Sequence, residues 1–297
     1  MKFTMKWWLA LAALLAVIAA LLYVFLRPTE PTYQGTSLNE WLGKLDSTTV
    51  FDAHGELTAT NHAAAAALRA MGTNSLPLLL ERLRMKRPEA NSAPGNAFAR
   101  PDPVKNPTDA DLLERCDQAL AAFAMLGPIA APAVPQLVAL LQESNYTSVA
   151  TIALAGIGPA AHPALLQALN HTNGELQVSV ALRIGFYQEK AAFAVPTLIA
   201  LLSNQSTNVR VQAAYALGQI KSLPDQTIPA LIKALADPDP YVNDLAATAL
   251  SQFGTNAAAA LPALQQLLTR PNQETFRKKL LGLAIQRITD TGKAARP

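Results

Sequence analysis

A single cysteine, Cys116, excludes any disulfide within the chain. One thiol is compatible with a reducing compartment without requiring one. Charge is sparse: 15% of residues are charged and the net charge is only +3, so no overall field draws the chain to nucleic acid. Aromatics are 6%, too few to interleave with basic residues as a stacking platform for single strands. Period-2 alternation of Val, Ile or Thr is scarce, which argues against a sheet. Reactive constellations are missing as well. His162 and His171 are nine residues apart, a spacing that does not place two ligands on one helical face, and neither they nor His54 and His62 lie in a Cys or acidic cluster. Cys116 sits on the apolar side of "DLLERCDQALAAF" and reads as a buried, inert thiol. Gly156 and Gly158 in "GIGPAAHP" follow no strand, so they mark a helix end and not a phosphate loop. Asp237 and Asp239 resemble a carboxylate pair, but helix capping accounts for them. No catalytic residue, metal ligand or cofactor-binding residue is therefore assigned, and no cofactor is expected.

Ala and Leu dominate what is present, and both favour helix. Pro163, Pro196, Pro229 and Pro262 recur every 33 residues. Leucine follows each at two positions, as Leu165, Leu198, Leu231 and Leu264, and again at six, as Leu169, Leu202, Leu235 and Leu268. Pro135 and Pro77 fit the same frame. Proline has no N–H to donate and its φ is already helical, so it suits a first helical turn. Each such proline is expected to open a helix with its leucines on one face. The other half of the unit is helical too. Val209, Ala213, Ala216, Leu217 and Ile220 form a stripe at helical period, and Val242, Ala246, Ala249, Leu250 and Phe253 repeat it. Asp239 before Pro240 reads as an N-cap followed by the first helical position. Gly72, Gly127, Gly185 and Gly218 fall near the ends of these first helices, where a left-handed cap is useful.

The unit is thus helix, turn, helix. One unit of this size cannot bury enough apolar surface to hold itself, so an array is implied. "SLNEWLGKL" carries a capping box, Ser37 with Glu40, and an apolar face of Leu38, Trp41, Leu42 and Leu45 that can cover the first unit. "TFRKKLLGLAIQRI" reads as a final unpaired helix, apolar at Phe276, Leu280, Leu283 and Ile288. Residues 86–111, rich in proline and polar residues, read as a long loop.

Residues 1–30 stand apart. Lys2 and Lys6 precede twenty uncharged, mostly apolar residues from Trp7 to Leu26, and Arg27 follows. Twenty helical residues span roughly 30 Å, the thickness of a hydrocarbon core. Trp7 and Trp8 at one end and Tyr23 and Phe25 at the other suit its interfaces. A cleaved signal peptide is the rival, but the apolar run continues past the small residues "VIAA". The expectation is an uncleaved single-pass anchor over about residues 7–26. The charge bias keeps the N-terminus cytoplasmic and puts the repeats outside, in a periplasmic or extracellular space. Domain organisation is then an anchor at 1–30, a lead-in with capping helix at 31–60, and an α-solenoid at 61–297, in an otherwise all-α chain.

The segments "STNVRVQAAYALGQI" and "LADPDPYVNDLAATALSQF" resemble HEAT repeats, in particular the short bacterial type called phycobilisome-lyase HEAT-like. The resemblance is strongest over 145–270. The family's Val-Arg pair stands at Val209-Arg210 but becomes Val242-Asn243 one unit later, which breaks the arginine ladder. The layout with "YQGTSLNEWL" is similar to membrane-anchored bacterial HEAT-domain proteins of undefined role. Tetratricopeptide repeats close their unit with proline, and the ankyrin "TPLH" is absent. The absence of a reactive constellation and the polar solenoid surface lead to the expectation of a membrane-anchored protein-interaction scaffold, with a protein or peptide partner and no nucleic acid. An accessory or lyase-like subunit of an enzyme system, or a structural spacer, is the alternative.

Two surfaces are candidates. Residues 106–269 carry six Lys/Arg against eleven Asp/Glu, net −5, whereas 270–297 carry seven against two, net +5. Arg277, Lys278 and Lys279 are the centre of that basic group and suit an acidic partner. Helix geometry sends at least two of the three to solvent. The second surface is the row of second helices, expected to expose Gln136, Gln167, Thr197, Lys233 and Gln266, with Lys233 and Gln167 as its test positions.

Overall fold

The computed structural model describes residues 30–45, 61–85, 107–270 and 275–290, with backbone alone at 107–110. The described residues open with a feature that the sequence pattern did not announce. Strand β1 (Thr32–Tyr33) pairs antiparallel with β2 (Thr36–Ser37), Thr32 opposite Ser37 and Tyr33 opposite Thr36. Gln34 and Gly35 turn the hairpin with positive φ at both positions, 51° and 76°, the geometry that tight two-residue loops need. Ser37 then caps α1 (Leu38–Gly43). Its side chain accepts from the Glu40 N–H, and the Glu40 carboxylate accepts from the Ser37 N–H. Leu38, Leu42 and Leu45 are buried. Trp41 is half-buried and donates its indole N–H to the Tyr33 carbonyl.

Helix pairs follow: α2 (His62–Met71) with α3 (Leu76–Leu83), α4 (Pro107–Leu126) with α5 (Val134–Leu141), α6 (Thr147–Ile157) with α7 (His162–Leu169), α8 (Gly174–Gly185) with α9 (Val195–Leu201), α10 (Thr207–Ile220) with α11 (Pro224–Ala234), and α12 (Pro240–Gln252) with α13 (Leu261–Leu268). Helix α14 (Thr275–Thr289) stacks behind them without a second member among the described residues. Each first helix packs on the first helix before it and on the second helix of the preceding unit. One core of Ala, Leu, Ile and Val side chains therefore runs the length of the array. The molecule is an α-helical solenoid of HEAT-like repeats. Helix α4 begins at Pro107, inside the segment expected as loop; residues 86–106 lie outside the described residues.

The prolines act as expected at five units. Pro77, Pro135, Pro163, Pro196 and Pro262 each stand second in their helix. Pro229 differs. Here Pro224 opens α11 after a left-handed Leu223, and Pro229 lies inside the helix. Two of the four glycines also differ. Gly72 and Gly127 have φ of +56° and +53° and end their helices as expected, but Gly185 and Gly218 do not enter the left-handed region. In those units the left-handed position falls three residues later, on Gln188 and Lys221.

Gly185 and Gly218 serve closeness. A Cβ on Gly218 would lie 2.8 Å from the Cα and Cβ of Ala249, and one on Gly185 would lie 3.3 Å from the Cα of Ala216. The first helices approach at these points because one partner has no side chain there.

The broken arginine ladder is intact as a hydrogen-bond ladder. Gln177, Arg210 and Asn243 are 33 residues apart. Gln177 donates to the Leu169 carbonyl at 2.8 Å, Arg210 to those of Asn204 and Gln205 at 3.0 and 3.1 Å, and Asn243 to those of Ala234 and Asp237 at 3.3 and 2.9 Å. Each satisfies carbonyls at the link before its own helix, so the work needs an N–H donor of any charge. Arg210 adds a paired contact to the Asp237 carboxylate, at 2.8 and 3.0 Å. At the other end, Arg82 on α3 is buried and reaches both neighbours. It donates to the Gln118 side-chain oxygen on α4 at 2.7 Å and to that of Asn39 on α1 at 2.6 Å.

The expected topology is corrected. Among the described residues, one helical stretch is long and apolar enough to cross a membrane, and it is Asp111–Leu141, mid-chain and not N-terminal. It comprises most of α4, a 3-10 turn and α5, and Phe123, Leu126, Leu137, Leu140 and Leu141 are buried in the array. Its apolar composition is used by repeat packing. The anchor expected over 7–26 lies outside the described residues. The single-pass topology and the periplasmic or extracellular placement are not carried forward.

Candidate partner-binding surfaces

The residues suspected of chemistry have structural occupations. His171, Asn204 and Asp237 stand at one repeat position, 33 residues apart, and each accepts from the N–H two residues on, at 3.0, 2.9 and 2.9 Å. The acceptor on His171 is the ring Nδ1. Asp239 caps α12 by accepting from the Tyr241 N–H at 2.8 Å. Cys116 is buried, and His62 is exposed at the start of α2. His54 lies outside the described residues. Among the described residues, no group of three or more His, Cys, Asp or Glu side chains is placed to hold a metal ion.

His162 stacks on Phe193 with ring centres 3.6 Å apart and planes 7° from parallel, tying α7 to the turn before α9. Burial holds its pKa below the ordinary 6.5. The fold therefore prefers the neutral ring. The stabilisation is complete above the unfolded pKa, near 6.5, and falls as pH drops through and below it. Thermal melts should show a modest acid-side loss below about pH 6.5. His162→Phe, which keeps a ring and loses the proton, should lack this component. An unchanged acid profile in that variant would assign the loss elsewhere.

The second-helix row is polar. Gln136, Gln167, Lys233 and Gln266 are exposed, and Thr197 is half-buried. Gln167 on α7 and Lys233 on α11 are separated by α9, so the structure does not bring them together. Among the described residues, the exposed large apolar side chains, which include Phe186, Tyr241, Phe276 and Leu283, come from no second helix.

The last helix is turned relative to expectation. Of the expected stripe, Phe276, Leu280, Leu283 and Ile288, only Ile288 is fully buried, and Leu281 and Ala284 complete the buried face. Phe276 is 70% exposed and Leu283 48% exposed, while Leu280 is half-buried. The basic triplet divides. Arg277 donates to the Asp244 carboxylate at 2.8 Å and to the Pro240 carbonyl at 3.2 Å, which binds α14 to α12. Lys278 and Lys279 are exposed, as is Arg287 two turns further on.

The reason for the open stripe lies in the seam between first helices. Gly218 and Ala249 close it between α10 and α12. One unit later these positions are Ser251 and Gly282, and a Cβ on Gly282 would meet nothing within 4 Å. The seam between α12 and α14 is left as a cleft of about 310 Å³. Thr248 and Ser251 form its α12 wall. Their hydroxyls already donate within α12, to the Asp244 and Thr248 carbonyls at 2.8 and 2.7 Å. Phe276, Leu280, Leu283 and Ala284 form the other wall, with Lys279 and Arg287 beside them. The Gly, Gly, Ser column at 185, 218 and 251 was readable in the sequence and is the signal that could have found this cleft.

The family model for HEAT repeats matches residues 162–227 and 195–284. The stretch from α7 into α14 is similar to HEAT repeats. The match spans less than half of the chain, and it includes α12 and most of α14, the helices that form the cleft. No curated protein matches the sequence. Solved structures similar to it include an engineered protein, 22% identical over 84% of this chain and 96% of the other, with a TM-score of 0.38. A designed armadillo repeat protein in complex with the peptide (KR)4 is 19% identical, covering 72% of this chain and 99% of the other, with a TM-score of 0.41. The complex of CpcE and CpcF of phycocyanin lyase from Nostoc sp. PCC7120 is 19% identical, covering 88% and 98%, with a TM-score of 0.31.

Proposed function

We propose that this chain is a protein- or peptide-binding solenoid that acts through its surface, and that its partner docks at the α12/α14 end. The observation that carries the reading is the exposed Phe276 and Leu283 beside Lys278, Lys279 and Arg287. Apolar side chains at 70% and 48% exposure leave burial to be gained on binding. The adjacent cations add orientation and speed of encounter. Arg277, one of the three residues first suspected, holds α14 in place and leaves contact to the other two. The row that carries Lys233 and Gln167 offers polar contacts without an apolar anchor. Such a module also serves as an accessory subunit of an enzyme system, contributing a surface and not reacting groups.

Selection of peptides from a random display library on the full chain tests this. Enriched peptides should bind the wild type and lose at least about fivefold in affinity to a Lys278→Glu, Lys279→Glu variant. Loss confined to a Gln167→Glu, Lys233→Glu variant would move the site to the second helices. No enrichment at all would leave a structural spacer.

A further inference from the structure

We infer that the α12/α14 groove takes an acidic, amphipathic helix of a partner protein. The inference rests on the reading of the chain as a binding solenoid and names the occupant of its site.

Shape selects the helix. The groove runs between two stacked helices, and its apolar stripe from Phe276 to Leu283 continues to Arg287, about 16 Å along the axis. A third helix seats its side-chain ridge in such a groove. An extended strand would find no edge to pair with, since α12 and α14 satisfy their own backbone. The floor is recessed, with Ala284 buried and Leu280 half-buried, and Phe276 and Leu283 stand exposed along it, ready to flank an inserted helix.

Charge selects the sign. The Thr248 and Ser251 hydroxyls already donate within α12, so the α12 wall offers a ligand acceptors and no free donor. Lys279 and Arg287, eight residues and therefore about two turns apart, both line the cleft and are exposed. Among the described residues neither forms an ion pair, while Arg277 is neutralised by Asp244. A docked helix with carboxylates about two turns apart, flanking two or three apolar residues, meets both cations and covers Phe276 and Leu283. A basic helix would place like charges together at the rim.

The probe is a fluorescein-labelled, stapled 16-residue peptide with Leu on one face and Glu flanking it, titrated against the full chain by anisotropy. Its controls are the same peptide with Lys for Glu, and phosphatidylglycerol vesicles. The Glu peptide should bind and the Lys peptide should not. Lys279→Glu with Arg287→Glu should weaken binding at least about tenfold, and Leu283→Glu should weaken it comparably. All three positions are exposed, and matched melts will show that folding is retained. Arg84→Glu, exposed at the far end of the array, should change it less than about twofold. Equal binding of both peptides, or an unaffected double variant, overturns the inference. Vesicle binding that the Glu peptide does not compete overturns it in favour of a lipid surface. A chain that self-associates until Leu283→Glu is introduced overturns it in favour of a second copy. If library peptides bind but map outside this groove, the inference fails while the binding-solenoid reading stands.

Discussion

Leu231→Asp should cost at least about 4 kcal/mol, because it combines the loss of a core leucine with the burial of an unpaired carboxylate. Leu231 is fully buried on α11, at the junction of that helix with α12. Repeat arrays couple mainly to their neighbours, so the damage should be local before it is global. Hydrogen exchange should accelerate first over α10 to α12 and last over α4 to α6. Gln266→Asp, exposed on α13, should change stability by less than about 0.5 kcal/mol. Equal melting of the two variants would mean that α11 presents a different face to the core.

The glycine seam gives the second large effect, and one substitution type should change sign along it. Alanine in place of a mid-helix glycine gains about 1 kcal/mol in helix propensity. At Gly282 nothing opposes that gain, so Gly282→Ala should stabilise by about that amount. At Gly218 the new Cβ meets backbone and Cβ atoms of Ala249 at 2.8 Å, and backbone cannot swing aside as a side chain can. Overpacking of this kind costs about 1–3 kcal/mol, which outweighs the propensity gain through most of that range. Gly218→Ala should therefore destabilise, and Gly218→Val more strongly. Gly185→Ala, at 3.3 Å from Ala216, should fall between Gly218→Ala and Gly282→Ala. Urea titration of the four variants checks the order. A stabilising Gly218→Ala would show that the α10/α12 seam is looser than these distances require.

The 33-residue period, the second helices opened by proline, the Ser37–Glu40 capping box and the Asp239 cap were all legible in the sequence, because each depends on a residue's own backbone chemistry. The glycines show where such reading stops. Near a helix end, glycine serves either a left-handed cap or a close contact. Gly72 and Gly127 do the first, and Gly185 and Gly218 the second, with Gln188 and Lys221 taking the strained positions. Only the neighbouring helix distinguishes them. The same holds for α14, where the stripe read from the sequence, Phe276, Leu280, Leu283 and Ile288, competes with one through Leu281, Ala284 and Ile288, and the second is buried. Periodicity cannot choose between two stripes of one period. The Arg277–Asp244 pair and the packing on α13 make the choice. The hairpin at 32–37 escaped because two-residue strands carry no alternation. The Val242-Asn243 step looked like a broken ladder because sequence comparison weighs charge, whereas the link carbonyls ask only for a donor.

Arg82 and the α12/α14 seam together give the array a direction of growth. At the N-terminal side one guanidinium reaches into both α1 and α4, so duplication of a unit between them would separate partners held at 2.6 and 2.7 Å and strand a buried cation. Behind α12, among the described residues, the polar tie to be broken is that of Arg277 to the Asp244 carboxylate and the Pro240 carbonyl, and a spare apolar stripe is already present. A lineage of such proteins can therefore lengthen by adding units at the C-terminal side while the opening turns stay fixed. Variation in repeat number should be sought behind α12, and constancy ahead of α4.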